Sequence, residues 1–426
     1  MKLQVLAGLA LASLLAMEPP LSAQGGPADR WVGTWATAGV AVPSQPSAQP
    51  QLLQPGEPPR FNNQTLRQIV HTSIGGERVR VVLTNVFGTR PLTIGGAHLA
   101  LRERAGAIAP ASNRALTFGG VSAVKIPPGA VLVSDGVDLT VPQFGDVAID
   151  IYLPEDTAAS PSPLTSHGGA RQTSYVSTTG NHLGKPELPR ATTTPSWFFL
   201  ARLEVVAQEP ARAFVTFGDS ITDGYNSTPD TNNRWPDHLA KRLAAGRFGV
   251  LNVGIDGNRV LADGAGVSAL ARFDRDVLVQ PGVTHVFVLE GINDLGIPGL
   301  LKDGPRPTPA ELIAGHRQLI ARAHARGLKI IGGTLLPFEG TVIPGYWTPE
   351  GETIRQAFNQ WMRTSKEYDG VIDFDQVMRD PQQPTKMLPR YDSGDHLHPS
   401  DAGYQAMAAA FDLALVQEGL RGATAR

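Results

Sequence analysis

The chain has 426 residues, 42% of them hydrophobic and 18% charged, with a formal net charge of −2. That length exceeds one ordinary core, so two domains are expected, and the composition excludes the disordered and fibrous classes. There is no basic stripe to bind nucleic acid. The absence of cysteine excludes disulfides, thiolate metal sites and a lipid-anchored thiol.

Residues 1–23 read as a secretory signal. Lys2 supplies the positive start, Leu3 to Met17 an apolar run, and Leu21-Ser22-Ala23 a cleavage site before Gln24. The run falls short of the ~20 apolar residues of a membrane span, and no later stretch meets that length. Export without disulfides points to a periplasm or the medium. Residues 41–60, rich in Pro, Gln and Ser, read as a loop.

A β-rich domain is expected over 24–207. Short alternating runs at Arg78 to Leu83, Val131 to Val133, Val137 to Val141, Val147 to Leu153 and Phe198 to Val206 are separated by turn signals such as Gly119-Gly120 and Pro127-Pro128-Gly129. This punctuation predicts a sandwich or jelly roll.

Over 208–426 strands and helices alternate. Strands are expected at Ala213 to Phe217, Val250 to Val253, Val286 to Leu289, Lys329 to Leu335 and Val371 to Phe374. Helices are expected at Trp235 to Ala245, at Pro309 to Arg326 behind a Thr308/Glu311 capping box, near Gly351 to Ser365, and from Ser400 to about Val416. The alternation predicts a parallel sheet covered on both faces.

Four blocks lie at the ends of these strands or beside the helices: Gly218-Asp219-Ser220-Ile221, Asn252-Val253-Gly254-Ile255-Asp256-Gly257-Asn258, Gly291-Ile292-Asn293-Asp294 and Asp395-His396-Leu397-His398-Pro399. They supply a hydroxyl, a close-approach glycine, an amide, and an acid three residues before an imidazole. Acyl transfer through a serine ester needs this set: nucleophile, base, orienting carboxylate and oxyanion donors. In open parallel sheets such groups gather at the carboxyl ends of the strands. Ser220 is the candidate nucleophile, with a helix-capping serine as the plain alternative. Of the two histidines, His398 suits the base, because a turn can bring it onto Asp395, whereas His396 is adjacent to that acid and points away. Pro399 keeps His398 out of helix.

The blocks resemble those of the SGNH (GDSL-type) hydrolases, in the same order and over roughly 180 residues. The resemblance implies a flavodoxin-like three-layer α/β/α domain following the all-β domain. It also implies an oxyanion hole formed by Ser220, Gly257 and Asn293, Gly257 being favoured over Gly254 as the later glycine before Asn258. The whole chain looks like exported bacterial members with an N-terminal β domain. No metal is expected, although Asp392, Asp395, His396 and His398 could be read as ligands. No nucleotide-cofactor motif is present. Asp223, Asp256, Asp294, Arg259 and Glu290 border the blocks and read as turn or supporting residues.

The expected activity is a secreted serine esterase acting through an acyl-enzyme on a small-molecule or polysaccharide ester, with carbohydrate O-deacetylation the leading choice by analogy. Tyr346 and Trp347 are candidate pocket aromatics, with plain loop packing the equal alternative. A lipase or thioesterase is the competing acyl hydrolase. A glycosidase would need paired carboxylates, Asp219 and Asp395 being the nearest guess. A binding protein would have no need of all five site residues. No obligate protein partner is evident.

Overall fold

Five parallel strands form the sheet that positions the site, in the spatial order Phe248–Gly254, Arg212–Gly218, Val283–Leu289, Lys329–Gly333, Gly370–Ile372. Numbered along the chain, this is the doubly wound order 2-1-3-4-5. The strands are short apolar runs because both faces are covered: Phe214, Val215, Val286, Phe287 and Ile330 are fully buried. Helices Trp235–Leu243 and Asp401–Ala410 pack together, as do Pro309–Ala325 and Pro349–Thr364. The Thr308/Glu311 capping box starts Pro309–Ala325 as expected. The structure, a computed structural model, describes residues 29–43, 59–208, 210–300 and 304–416. The expected signal segment and its cleavage site lie outside them, as does most of the Pro/Gln/Ser-rich stretch.

The first part is all-β. One antiparallel sheet joins Trp31–Ala36, Leu200–Val206, Gly76–Thr84, Val131–Val133 and Val137–Val141. A second, of seven strands, is centred on Gln64–His71, Asp146–Leu153 and Gly96–Arg104. Alternation is clean: Leu66, Val70, Leu99 and Ile149 enter the main core with Val79, Val81, Leu203 and Val205 of the other sheet, whereas Ile69, Ala100 and Ala148 form a small cluster on the opposite face. These are the two layers of a sandwich.

Two expectations end differently. The single strand foreseen over Phe198 to Val206 is split at Phe199, which is buried with φ 58°. Trp197–Phe198 pairs with Leu164–His167, while Leu200–Val206 joins the first sheet. One left-handed residue thus moves the chain between sheets. The last helix stops at Ala410 rather than near Val416, where Phe411 turns extended and packs its ring on Phe214, 5.5 Å between centroids. Arg242 Nη1 donates to the released Phe411 carbonyl at 2.8 Å.

From Trp31 onward the chain packs as one compact unit. The strand Trp31–Ala36 crosses the edge strand Phe248–Gly254 so closely that a Cβ on Gly249 would lie 2.0 Å from the Gly33 carbonyl oxygen. Ser73 of the β part accepts the Val250 N–H at 2.9 Å, so a donor of that edge strand is not left open.

Candidate active site

The strand Arg212–Gly218 ends in a tight turn into the short helix Ser220–Asp223. Asp219, not Ser220, caps that helix, its Oδ1 accepting the Ile221 N–H at 2.9 Å. The Ser220 hydroxyl is thereby released from capping and lies 2.8 Å from His398 Nε2. His398 Nδ1 lies 2.6 Å from Asp395 Oδ2. With Nδ1–H donated to the carboxylate, Nε2 is left to accept from the serine. Both Ser220 and His398 are 7% exposed, so the pair is shielded from bulk water but reachable.

The Asp395 carboxylate is held from several sides. Oδ1 accepts the His398 N–H at 2.8 Å, the Leu397 N–H at 3.0 Å and the Ser393 hydroxyl at 3.2 Å. Oδ2 also accepts from Asn226 Nδ2 at 2.9 Å. Burial pushes its pKa up, but the hydrogen bond and charge of His398 outweigh this and hold the carboxyl below the usual carboxylate range. His396, in the left-handed region at φ 58°, turns away and pairs with Asp392. The four groups read as a metal set are therefore two separate acid–imidazole pairs.

Asn293 follows the strand Val283–Leu289 in the helix Ile292–Gly296. Its Oδ1 accepts the Tyr346 hydroxyl at 2.6 Å, while its buried Nδ2 has no partner among the described residues. A buried amide donor left open is an unmade hydrogen bond waiting for an acceptor. Tyr346 is only 3% exposed. Its ring packs edge-on against Phe338, and its hydroxyl holds the amide oxygen. Trp347 is half-buried against the main core. Gly257 has φ 73° in the turn after Phe248–Gly254, a conformation that favours glycine. Gly254 serves differently: a Cβ there would lie 2.3 Å from the Asp223 backbone nitrogen, against the serine helix.

Behind these groups lies a buried polar layer. Arg272, fully buried, donates to Gly218 O at 2.9 Å, Val253 O at 2.7 Å, Asn258 Oδ1 at 2.8 Å and Glu290 at 3.1 Å. Asp294 accepts the Val260 and Leu261 N–H groups at 2.7 and 3.0 Å and so fixes the loop after Gly257. Burial, with the charge of Asp294, pushes Asp219 up to about 7. Burial also raises Asp294 to about 6, and burial with the charge of Asp219 raises Glu290.

These carboxyls keep protons in the folded chain at pH values where the unfolded chain has lost them. Their contribution is therefore complete below about pH 4 and is lost as pH rises through about 7. Asp219→Asn keeps an Oδ1 acceptor for Ile221 but cannot titrate. It is expected to flatten the decline in Tm between about pH 4.5 and 8. Thermal melts across that range check this, and an unchanged slope would count against a protonated Asp219.

Sequence reasoning placed the loop Gly224 to Asn233 at the pocket without singling out Tyr225 or Asn226, and it missed Ser393 and Arg272. Only Arg272 carried a local signal: it shares a helix face with apolar Ala269 and Phe273, all three buried.

Residues 216–406 match the GDSL-like Lipase/Acylhydrolase family, which makes this part of the chain a carboxylic ester hydrolase domain of the SGNH (GDSL-type) kind. No curated protein matches it. Among solved structures it is similar to a GDSL-like lipase from Bacteroides thetaiotaomicron (19% identity, 50% of this chain and 89% of the other, TM-score 0.37). It is also similar to an aryl esterase from M. smegmatis (16% identity, 50% and 99%, TM-score 0.39). A third is Est24, a carbohydrate acetylesterase from Sinorhizobium meliloti (16% identity, 49% and 99%, TM-score 0.37).

Proposed function

We propose that the chain is an exported serine esterase that cleaves esters through an acyl-enzyme and removes acetyl groups from carbohydrate. The observation that carries the chemistry is the Ser220–His398–Asp395 line, 2.8 and 2.6 Å, beside the open amide of Asn293. His398 Nε2 takes the Ser220 proton as Oγ attacks the ester carbonyl. Asp395 holds the ring in the correct tautomer and stabilises the imidazolium. The Asn293 amide, with the Ser220 and Gly257 N–H groups, takes the oxyanion. His398 then gives its proton to the departing alkoxide, and water repeats the sequence on the acyl-enzyme. Export rests on the apolar run after Lys2. No helix among the described residues is long and apolar enough to cross a membrane.

Labelling of Ser220 by a fluorophosphonate, and release of free acetate from an acetylated glycan, test the reading. Rates on p-nitrophenyl esters from acetate to palmitate separate a deacetylase from a lipase: the deacetylase peaks at acetate, and a maximum at long chains overturns it.

Asn293→Ala is expected to lower kcat ~100- to 1,000-fold with KM little changed. Tyr346→Phe, which only frees the amide to rotate, should cost about tenfold in kcat. Steady-state kinetics on one acetate ester read both, and a pure KM effect in either variant excludes the oxyanion role.

A further inference from the structure

We infer that the β part completes the active site: Arg171 and Tyr225 form a leaving-group subsite for an anionic ring alcohol, such as a uronic acid unit bearing the ester. This rests on the serine-esterase reading above.

The Tyr225 ring lies against the base, its centroid 4.4 Å from that of His398, and is 37% exposed. The Arg171 guanidinium sits over the same ring, 4.5 Å from its centroid. Among the described residues nothing hydrogen-bonds or ion-pairs with that guanidinium, and its Nε is buried without a partner. The carboxyl of Asp256 feels its charge, yet burial and Asp223 hold Asp256 well above the usual carboxylate range, which makes it a poor counter-ion. A cation left open one ring away from the catalytic imidazole calls for an anion brought by the substrate.

The arrangement is built rather than incidental. Arg171 stands in the left-handed region at φ 51°, a conformation that non-glycine residues adopt only when their surroundings enforce it. Asp230, in the loop after Tyr225, enforces it. Its N–H donates to Arg171 O at 2.9 Å, and its carboxylate accepts from Gln172 Nε2, Thr173 N–H and Thr173 Oγ1, each at 2.6 Å. Arg234 Nη1 reaches Ala170 O at 3.3 Å, and His167 Nε2 meets Asp223 Oδ1 at 3.0 Å. The segment 167–173 of the β part is thus clasped to the loop that carries Tyr225 and the Asp395-holding Asn226. His398 must protonate the departing oxygen, so the alcohol half of the ester lies on its side of the site. An alcohol whose charge stands across one ring from its ester oxygen spans from His398 to Arg171. In a hexuronic acid the carboxylate bears this relation to the ring hydroxyls opposite it.

The experiment compares 4-acetoxybenzoate with its uncharged methyl ester, using the full chain. The wild type is expected to favour the carboxylate in kcat/KM. Arg171→Gln should lower kcat/KM for the charged ester ~10- to 100-fold, as for loss of a charged hydrogen bond, and move the neutral ester less than about threefold. Arg171→Lys, which keeps the charge, should retain part of the preference. Equal losses on both esters would make Arg171 a mere support for Tyr225 and overturn the subsite, as would the absence of any preference in the wild type. Ser220→Ala should silence both esters. Residual turnover there would sink the esterase reading itself, an outcome separate from the Arg171 result.

Discussion

Ser220→Ala is expected to lower kcat on an acetate ester by ~10⁴- to 10⁶-fold, His398→Ala to cost about as much, and the double variant to cost little more. The reason is that the two groups act as one unit. The hydroxyl becomes nucleophilic only as its proton leaves for Nε2, 2.8 Å away, and without the serine the base has no alkoxide to generate. What survives in all three variants is binding plus the oxyanion donors, which act without the nucleophile. Asp395→Asn should be milder, because the Leu397 and His398 N–H groups still hold side chain 395 in place through Oδ1. Its defect is tautomeric: an amide donor toward Nδ1 leaves the proton on Nε2, where it cannot accept from Ser220. Pre-steady-state acetylation measured beside kcat settles the scheme. Multiplicative losses in the double variant would mean that Ser220 and His398 do not form one relay.

The catalytic blocks were legible because each is local. A turn after an apolar strand, an Asn-Asp pair opening a helix and an acid-x-x-His-Pro loop are written within a few residues. A parallel sheet then carries them to one edge. What escaped depends on partners remote in sequence. Nothing near Tyr346 says that its hydroxyl ends on Asn293, 53 positions away, so pocket wall and packing could not be separated. Phe199 looks like one more apolar strand residue, yet it is buried with a left-handed backbone at which the chain changes sheet. Arg171 and His167 lay in the β-rich half, where no motif points across to Tyr225 or Asp223. Sequence periodicity reports which face is buried, but not which of two packed layers supplies the neighbour.

Arg272→Met is expected to destabilise the chain by ~3–5 kcal/mol, the range for breaking a buried ion pair from one side. The guanidinium lies 3.9 Å from the centre of the Phe217 ring and binds the carbonyls of Gly218 and Val253, the Asn258 amide oxygen, Asp276 and Glu290. Two of the four blocks, and the residue just before the third, therefore meet on one side chain. Removing it takes a donor from the Val253 carbonyl, leaves the Gly218 carbonyl with the Ile255 N–H, and strips Glu290 of its cation while burial already opposes its charge. Arg272→Lys keeps the charge but loses the flat fork, so it should recover part of the stability and little of the geometry. Adding Glu290→Gln to Arg272→Met removes the stranded acid and should restore part of the loss, a coupling that equilibrium denaturation of the four cycle members measures directly. Misplacement by ~1 Å of the strand ends that carry Ser220 and Gly257 can cost ~10²-fold in rate. The surviving folded fraction of Arg272→Met should accordingly show a lowered kcat, beyond what its loss of folded protein explains. Wild-type kcat per folded molecule would make Arg272 a structural tie with no hold on the strand ends.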